Sequence, residues 1–196
     1  EETDESLRER YYESLRALAF GGNVADYRAK TEKIPGVGAC KVFPAWSGGG
    51  TVKLAITDGT GGVPTEELVQ QVQQEIDPPG LSGQGRGWAP VGHAVTVEGV
   101  IGVTVNIEFK LILEQGYTWE SVKANVTAAL QMYFEDMVKG WADVESITVR
   151  TRQLEAKVLT VNGVLDIADT KLNGVAGNLV LASTEIPLLG AVTNRA

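Results

Sequence analysis

Hydrophobic and polar residues alternate most regularly between Val103 and Glu114. Val103, Val105, Ile107, Phe109, Leu111 and Leu113 alternate with Thr104, Asn106, Glu108, Lys110, Ile112 and Glu114. A period of two is that of a strand with one face buried. A run this long predicts a strand in the middle of its sheet rather than an unsupported edge. Elsewhere the apolar positions step by three or four. Val122, Val126, Leu130, Phe134 and Met137 predict a long helix from a cap at Thr118 to about Val138. Leu68, Val72 and Ile76 predict a shorter one, capped by Thr65 and stopped by Asp77-Pro78-Pro79-Gly80. Val24, Tyr27, Thr31 and Ile34 give another stripe, from an Asn23 cap to about Lys33. Leu7, Tyr11, Leu15 and Leu18 line one face of a charged helix over residues 4–19.

Shorter segments fill the gaps. Val37 to Phe43 and Thr51 to Thr57 read as strands joined by the Ser47–Gly50 loop, with Trp46 packed at its rim. Ala94 to Glu98 and Val144 to Arg150 read as further strands. So do Val164 to Thr170 and Leu179 to Ala182, closed through the turn signal Asn173-Gly174. Thr151 caps a brief helix through Leu154 and Val158. Glu185 to Thr193 reads as an apolar, extended tail broken by Pro187. One echo links the halves. Helix-Ile34-Pro35-Gly36-Val37-strand is matched by helix-Val161-Asn162-Gly163-Val164-strand.

This element order predicts an α+β fold. Two small modules of mostly antiparallel sheet, with helices packed on one face, follow an N-terminal helix. The Gly99–Gly102 seam divides the chain into residues 1–99 and residues 100–196, the second carrying the extended C-terminal tail.

Composition narrows the function. At 196 residues and 43% hydrophobic content, the chain can bury a sizeable core. A net charge of −8 argues against broad nucleic-acid binding and against docking on an anionic membrane. No apolar run reaches the roughly 18 residues that span a bilayer, and no signal peptide is legible. The chain starts Glu1-Glu2 without a methionine, as a piece of a longer protein would. The single cysteine, Cys40, excludes an internal disulfide and a Cys-rich zinc site, and is expected to be a buried apolar residue in a reducing compartment.

Candidate chemistry is sparse. His93, the one histidine, has no neighbour suited to a catalytic pair or metal site and reads as a packed or hydrogen-bonded residue. The glycine-rich run from Gly80 to Gly87 lacks the Gly-Lys-Ser/Thr ending of a phosphate cradle and reads as a mobile loop. No two carboxylates face each other across a cleft, and no Gly-x-Ser-x-Gly elbow occurs. No catalytic, cofactor or metal residue is therefore expected. Arg86 and Trp88, on the long Gly80–Gly92 loop, are of the types that anchor protein interfaces. Ile186, Leu188 and Leu189 in the tail, and Tyr11 on the first helical stripe, are apolar groups that need cover. They complete the set of candidate interface residues.

Two strings are more specific. ESLRERYYESLR followed by GGNVADY and then PGV, together with LNGVAGNLVLASTEIPLLGAVT near the end, resemble the C-terminal half of baseplate J-like proteins of contractile phage tails. The likeness runs along nearly the whole chain, in order. It implies a structural component of the baseplate of a phage or prophage-derived particle, not an enzyme. It implies a virion location after assembly in the bacterial host cytoplasm. It further implies a part in joining baseplate wedges and relaying conformational change. Its partners would be other wedge proteins and copies of itself, with no cofactor, nucleic acid, membrane or small-molecule substrate. The alternative is a regulatory α+β module that binds a small molecule in a polar pocket near the Gly99–Gly102 seam.

Overall fold

The computed structural model describes Thr3, Asp4, Arg8 and residues 21–195. The helix expected over residues 4–19 therefore lies, apart from Asp4 and Arg8, outside the described residues, and Tyr11 with it. The chain divides into two units, Glu1–Gly99 and Val100–Ala196. The fold is α+β in both.

In the first unit the described elements are α1 (Val24–Thr31), β1 (Val37–Pro44), β2 (Thr51–Asp58), α2 (Glu66–Ile76) and β3 (Ala94–Gly99). The sheet order is β1-β2-β3. β1 and β2 form an antiparallel hairpin, but β2 and β3 run parallel, Thr51 opposite Ala94 and Ile56 opposite Gly99. Parallel neighbours need a long crossover, and α2 with the loop behind it supplies one. The core joins Tyr27 and Ile34 to Cys40, Leu54 and Ile56 of the hairpin, Val72 and Ile76 of α2, and Val95 and Val97 of β3. Cys40 is wholly enclosed. Burial pushes its thiol up to about 12, so it stays protonated and unreactive at neutral pH.

The second unit carries β4 (Ile101–Leu113), α3 (Trp119–Lys139), a 3-10 turn at Trp141–Asp143, β5 (Thr148–Val149), α4 (Thr151–Val158), β6 (Val164–Leu172), β7 (Val175–Ala176), β8 (Leu179–Val180) and β9 (Glu185–Asn194). The main sheet has the order β7-β6-β4-β9. The alternating strand β4 is thus internal, antiparallel to β6 and parallel to β9. Val105, Ile107, Phe109 and Leu111 on one side of β4 join Val122, Val126, Leu130 and Phe134 of α3 and Leu154 and Val158 of α4 in one core. On the other side Thr104, Asn106, Lys110 and Ile112 are exposed.

Several expectations need correction. Taken together, the two larger sheets are mostly antiparallel, as expected of the α+β fold, but each also contains one parallel pair. The apolar tail is the edge strand β9, seated along β4 with Ile101 opposite Glu185 and Val105 opposite Leu189. Pro187 is compatible with this because edge strands tolerate a missing N–H. Asn173 and Gly174, with φ of 50° and 80°, turn β6 into β7 through a two-residue hairpin. Leu179 and Val180 pair instead with β5, and only Thr148–Val149 of the expected Val144–Arg150 strand is extended pairing.

The echo between the halves is reproduced in the backbone hydrogen bonds of the two joints. After α1 the N–H of Ile34 donates to Thr31 O at 3.1 Å and that of Val37 to Ile34 O at 3.1 Å. After α4 the N–H of Val161 donates to Val158 O at 3.0 Å and that of Val164 to Val161 O at 3.1 Å. Gly36 and Gly163 sit at φ 93° and 90° in these turns, where side chains are disfavoured. The same helix-to-strand joint opens a hairpin strand in each unit.

Candidate interaction surfaces

The GGNVADY string folds as a reciprocal cap. Asn23 Oδ1 accepts from the Asp26 N–H at 2.8 Å, and Asp26 Oδ2 accepts from the Gly22 N–H at 2.8 Å. One unpaired donor of the helix's first turn, the Asp26 N–H, is satisfied in this way, together with the N–H of Gly22 just ahead of the cap. Asp26 also pairs with Lys30 at 2.9 Å. Burial alone would raise the Asp26 pKa, but the hydrogen bonds from Lys30 and Gly22 outweigh it and hold the carboxyl below its ordinary value of 3.8. Tyr27 is buried, and its hydroxyl shares a hydrogen bond of 2.8 Å with His93 Nδ1. The two rings stack, 5.9 Å between centroids. Burial, then the charges of Asp77 and Asp26, push the Tyr27 phenol up to about 12. Gly22, at φ 87°, lies under this lock. A Cβ there would stand 2.4 Å from Pro90 Cγ. His93 is therefore a hydrogen-bonded packing residue, and the string is a structural latch between α1 and the segment before β3.

The Gly80–Gly92 loop is anchored rather than slack. Asp77, read from the sequence only as part of a helix stop, is almost wholly buried at its base. Its carboxylate accepts from the Val95 N–H at 2.8 Å, from the Gly83 N–H at 3.3 Å and from the Ser82 hydroxyl. The N–H groups of Trp88 and Ala89 donate to Glu75 O at 3.1 Å and Ile76 O at 2.8 Å, satisfying carbonyls at the end of α2. Gly92 N–H closes the loop onto Gly83 O at 2.8 Å. Held so, Arg86 and Trp88 are exposed, Trp88 to 41%. Leu81 and Val91 on the same loop are exposed as well. Because β2 and β3 are parallel and Ala94 N–H donates to Gly50 O at 2.8 Å, the β1–β2 hairpin loop lies at the same end of the sheet. It brings Trp46, half exposed and with the Lys53 ammonium 5.2 Å from its ring centroid. Sequence reasoning treated Arg86 and Trp88 as one patch and Trp46 as a separate packed residue. Sheet topology gathers them on neighbouring loops.

The remaining candidates divide. Ile186 is 1% exposed, so its side chain belongs to this chain's own interior and is not available to a partner. Leu189 packs against the core of its unit. Leu188, opposite Thr104, is exposed to 39% on the open side of the sheet. Trp141, which the sequence reading passed over, is fully buried with its indole N–H donating to Ser183 O at 3.1 Å. Among the described residues no group of histidine, cysteine and carboxylates could hold a metal ion, and no helix is long and apolar enough to cross a membrane.

Comparison with known proteins covers both units. Residues 19–99 match the model of the baseplate J-like central domain, and residues 105–195 that of the baseplate J-like protein C-terminal domain. In Bacillus subtilis (strain 168), the uncharacterized protein YqbT is 38% identical over 192 residues, 98% of this chain and 53% of its own length. The phage-like element PBSX protein XkdT of the same strain is 36% identical over the same span, again 53% of its length. The chain thus spans about half the length of these curated relatives. Among solved structures, a chain from the cryo-EM structure of the anti-feeding prophage baseplate superimposes with a TM-score of 0.64 at 12% identity, over 96% of this chain and 42% of that one. At that identity the likeness is one of fold.

Proposed function

The chain belongs to the baseplate J-like family, and from that premise we propose that it is a structural component of a phage-type tail baseplate, in a virion or a prophage-derived particle. The observation that carries this reading is the succession of central and C-terminal family domains along one chain. Two relatives sharing more than a third of their residues across both domains support it, one of them a protein of a phage-like element. The protein works by contact and is not an enzyme. It joins neighbouring baseplate subunits and passes displacement between them.

The loop end of the first unit is the contact we assign. Trp88 and Arg86 are of the types that dominate interface energies. They stand on a loop tied to the last turn of α2 and, through Asp77, to β3. A partner that grips Trp88 therefore pulls on the sheet rather than on a slack tether. Little ordering entropy remains to be lost on binding, which favours association.

The test is the double substitution Arg86→Ala with Trp88→Ala. In the isolated chain it should leave the melting temperature within about 4 °C, because both side chains are exposed. In the full-length protein it should lower incorporation into particles, scored by electron microscopy. Normal particles at wild-type yield would remove this loop from the interface.

A further inference from the structure

On the open side of the second unit's sheet, β6 carries a bulge. Glu108 is opposite Lys171 and Lys110 opposite Ala168, so Asp169 and Thr170 both face Phe109 alone. Asp169 takes φ 55°, the left-handed conformation that lets one extra residue enter the strand. A cavity of about 340 Å³ lies over this irregularity, lined by Lys110, Asp169, Thr170, Lys171, Ala176 and Arg195. Three cations thus line it against one carboxylate, in a chain whose net charge is −8.

Two of the three cations are not matched internally. Lys171 has Glu108 as its direct cross-strand neighbour, yet that carboxylate is paired with Arg195. Among the described residues neither Lys110 nor Lys171 has an ion pair. The fourth group is Thr170. It is 7% exposed, and its hydroxyl has no hydrogen-bond partner. An enclosed, unsatisfied hydroxyl carries a desolvation cost that a ligand can relieve. Two free ammonium groups, a guanidinium and a hydroxyl donor suit one chemistry, that of an oxyanion.

We propose that this cavity is a binding site for an oxyanion, bound by Lys110, Lys171 and Thr170, with Arg195 shared between the ligand and Glu108. The same chemistry is offered by a carboxylate on an acidic segment of an adjoining protein and by free phosphate, so the test carries both. The full chain is titrated at low ionic strength with inorganic phosphate and, separately, with a short peptide containing consecutive glutamates. Backbone amide shifts at Ala168–Lys171 and Ala176 are followed by NMR.

We expect saturable shifts there with at least one probe, weakening as salt is added. Lys110→Ala with Lys171→Ala should weaken saturation about tenfold. Thr170→Val should weaken it roughly threefold to tenfold without lowering the melting temperature, since it removes an unsatisfied group. Saturation by the peptide alone assigns the site to a protein carboxylate, and saturation by phosphate to the free ion. Shifts that stay linear for both probes, or saturation untouched by the double lysine substitution, would overturn the proposal. The lysine pair decides the matter even if Thr170→Val fails to fold.

Discussion

Gly22 shows how one residue type can be required twice at one position. Its φ of 87° disfavours any side chain, and Pro90 occupies the place of a Cβ. Gly80 has a similar φ of 82° but open space around it. Comparing the two separates backbone strain from steric exclusion. Gly80→Ala should cost about 1–2 kcal/mol. Gly22→Ala should cost about 2–4 kcal/mol, because overpacking adds to the strain. Urea titration of both variants measures the difference, and equal losses would show that Pro90 moves aside freely. Asp26 makes a pH prediction at the same scale. Its folded pKa is lowered, so its contribution is present above the unfolded value of 3.8 and is lost as the pH falls through the folded value. The melting temperature should therefore fall on acidification below about pH 4, and Asp26→Asn should flatten that decline. An identical acid profile in the variant would place the sensitivity elsewhere, with Asp58 next. Burial would raise the Asp58 pKa, but hydrogen bonds from Thr60, Gly62 and Gly61 lower it.

Among the elements, β4 carries the largest packing load. Phe109 is fully buried between β6, β9 and the helices, so Phe109→Ala should cost about 3–5 kcal/mol. Ile112, on the open side, should lose less than about 1 kcal/mol when cut to alanine. Denaturant midpoints read both, and similar costs would mean that the open side is covered. This strand was legible because its period is written in adjacent residues. The caps at Asn23 and Thr65 were legible for the same reason, since each bond spans three residues. The parallel pairings were not. Asn106 accepts from the Ala191 N–H across 85 residues, and no local pattern announces such a partner. Asp77 does stop its helix, as its sequence context says, but its second role was not legible. That role, as loop anchor, depends on the Val95 N–H arriving from β3. In the interface set the apolar character of Ile186 was plain, but only register shows whether such a residue faces its own interior.

Each unit of the whole molecule has its own closed core, one built from Tyr27 to Val97 and the other from Val105 to Leu172. We propose on this ground that each folds independently. Residues 100–196 expressed alone should show a cooperative melt and dispersed amide signals, and a collapsed spectrum without dispersion would tie that unit's stability to the first. The two larger sheets differ in when their edges can close. β1, β2 and β3 are neighbours in sequence as well as in space. β4 has to wait for β9, which leaves the ribosome last among the described strands. At about 5–20 residues per second, the 85 residues between Asn106 and Ala191 take on the order of ten seconds to synthesise. Through that interval one side of an unusually apolar strand has no partner of its own. The nascent second unit is then most open to pairing with a neighbouring nascent chain on the same message. Slow elongation downstream of residue 113 should raise aggregation, and holding chaperones should act on this unit before the first.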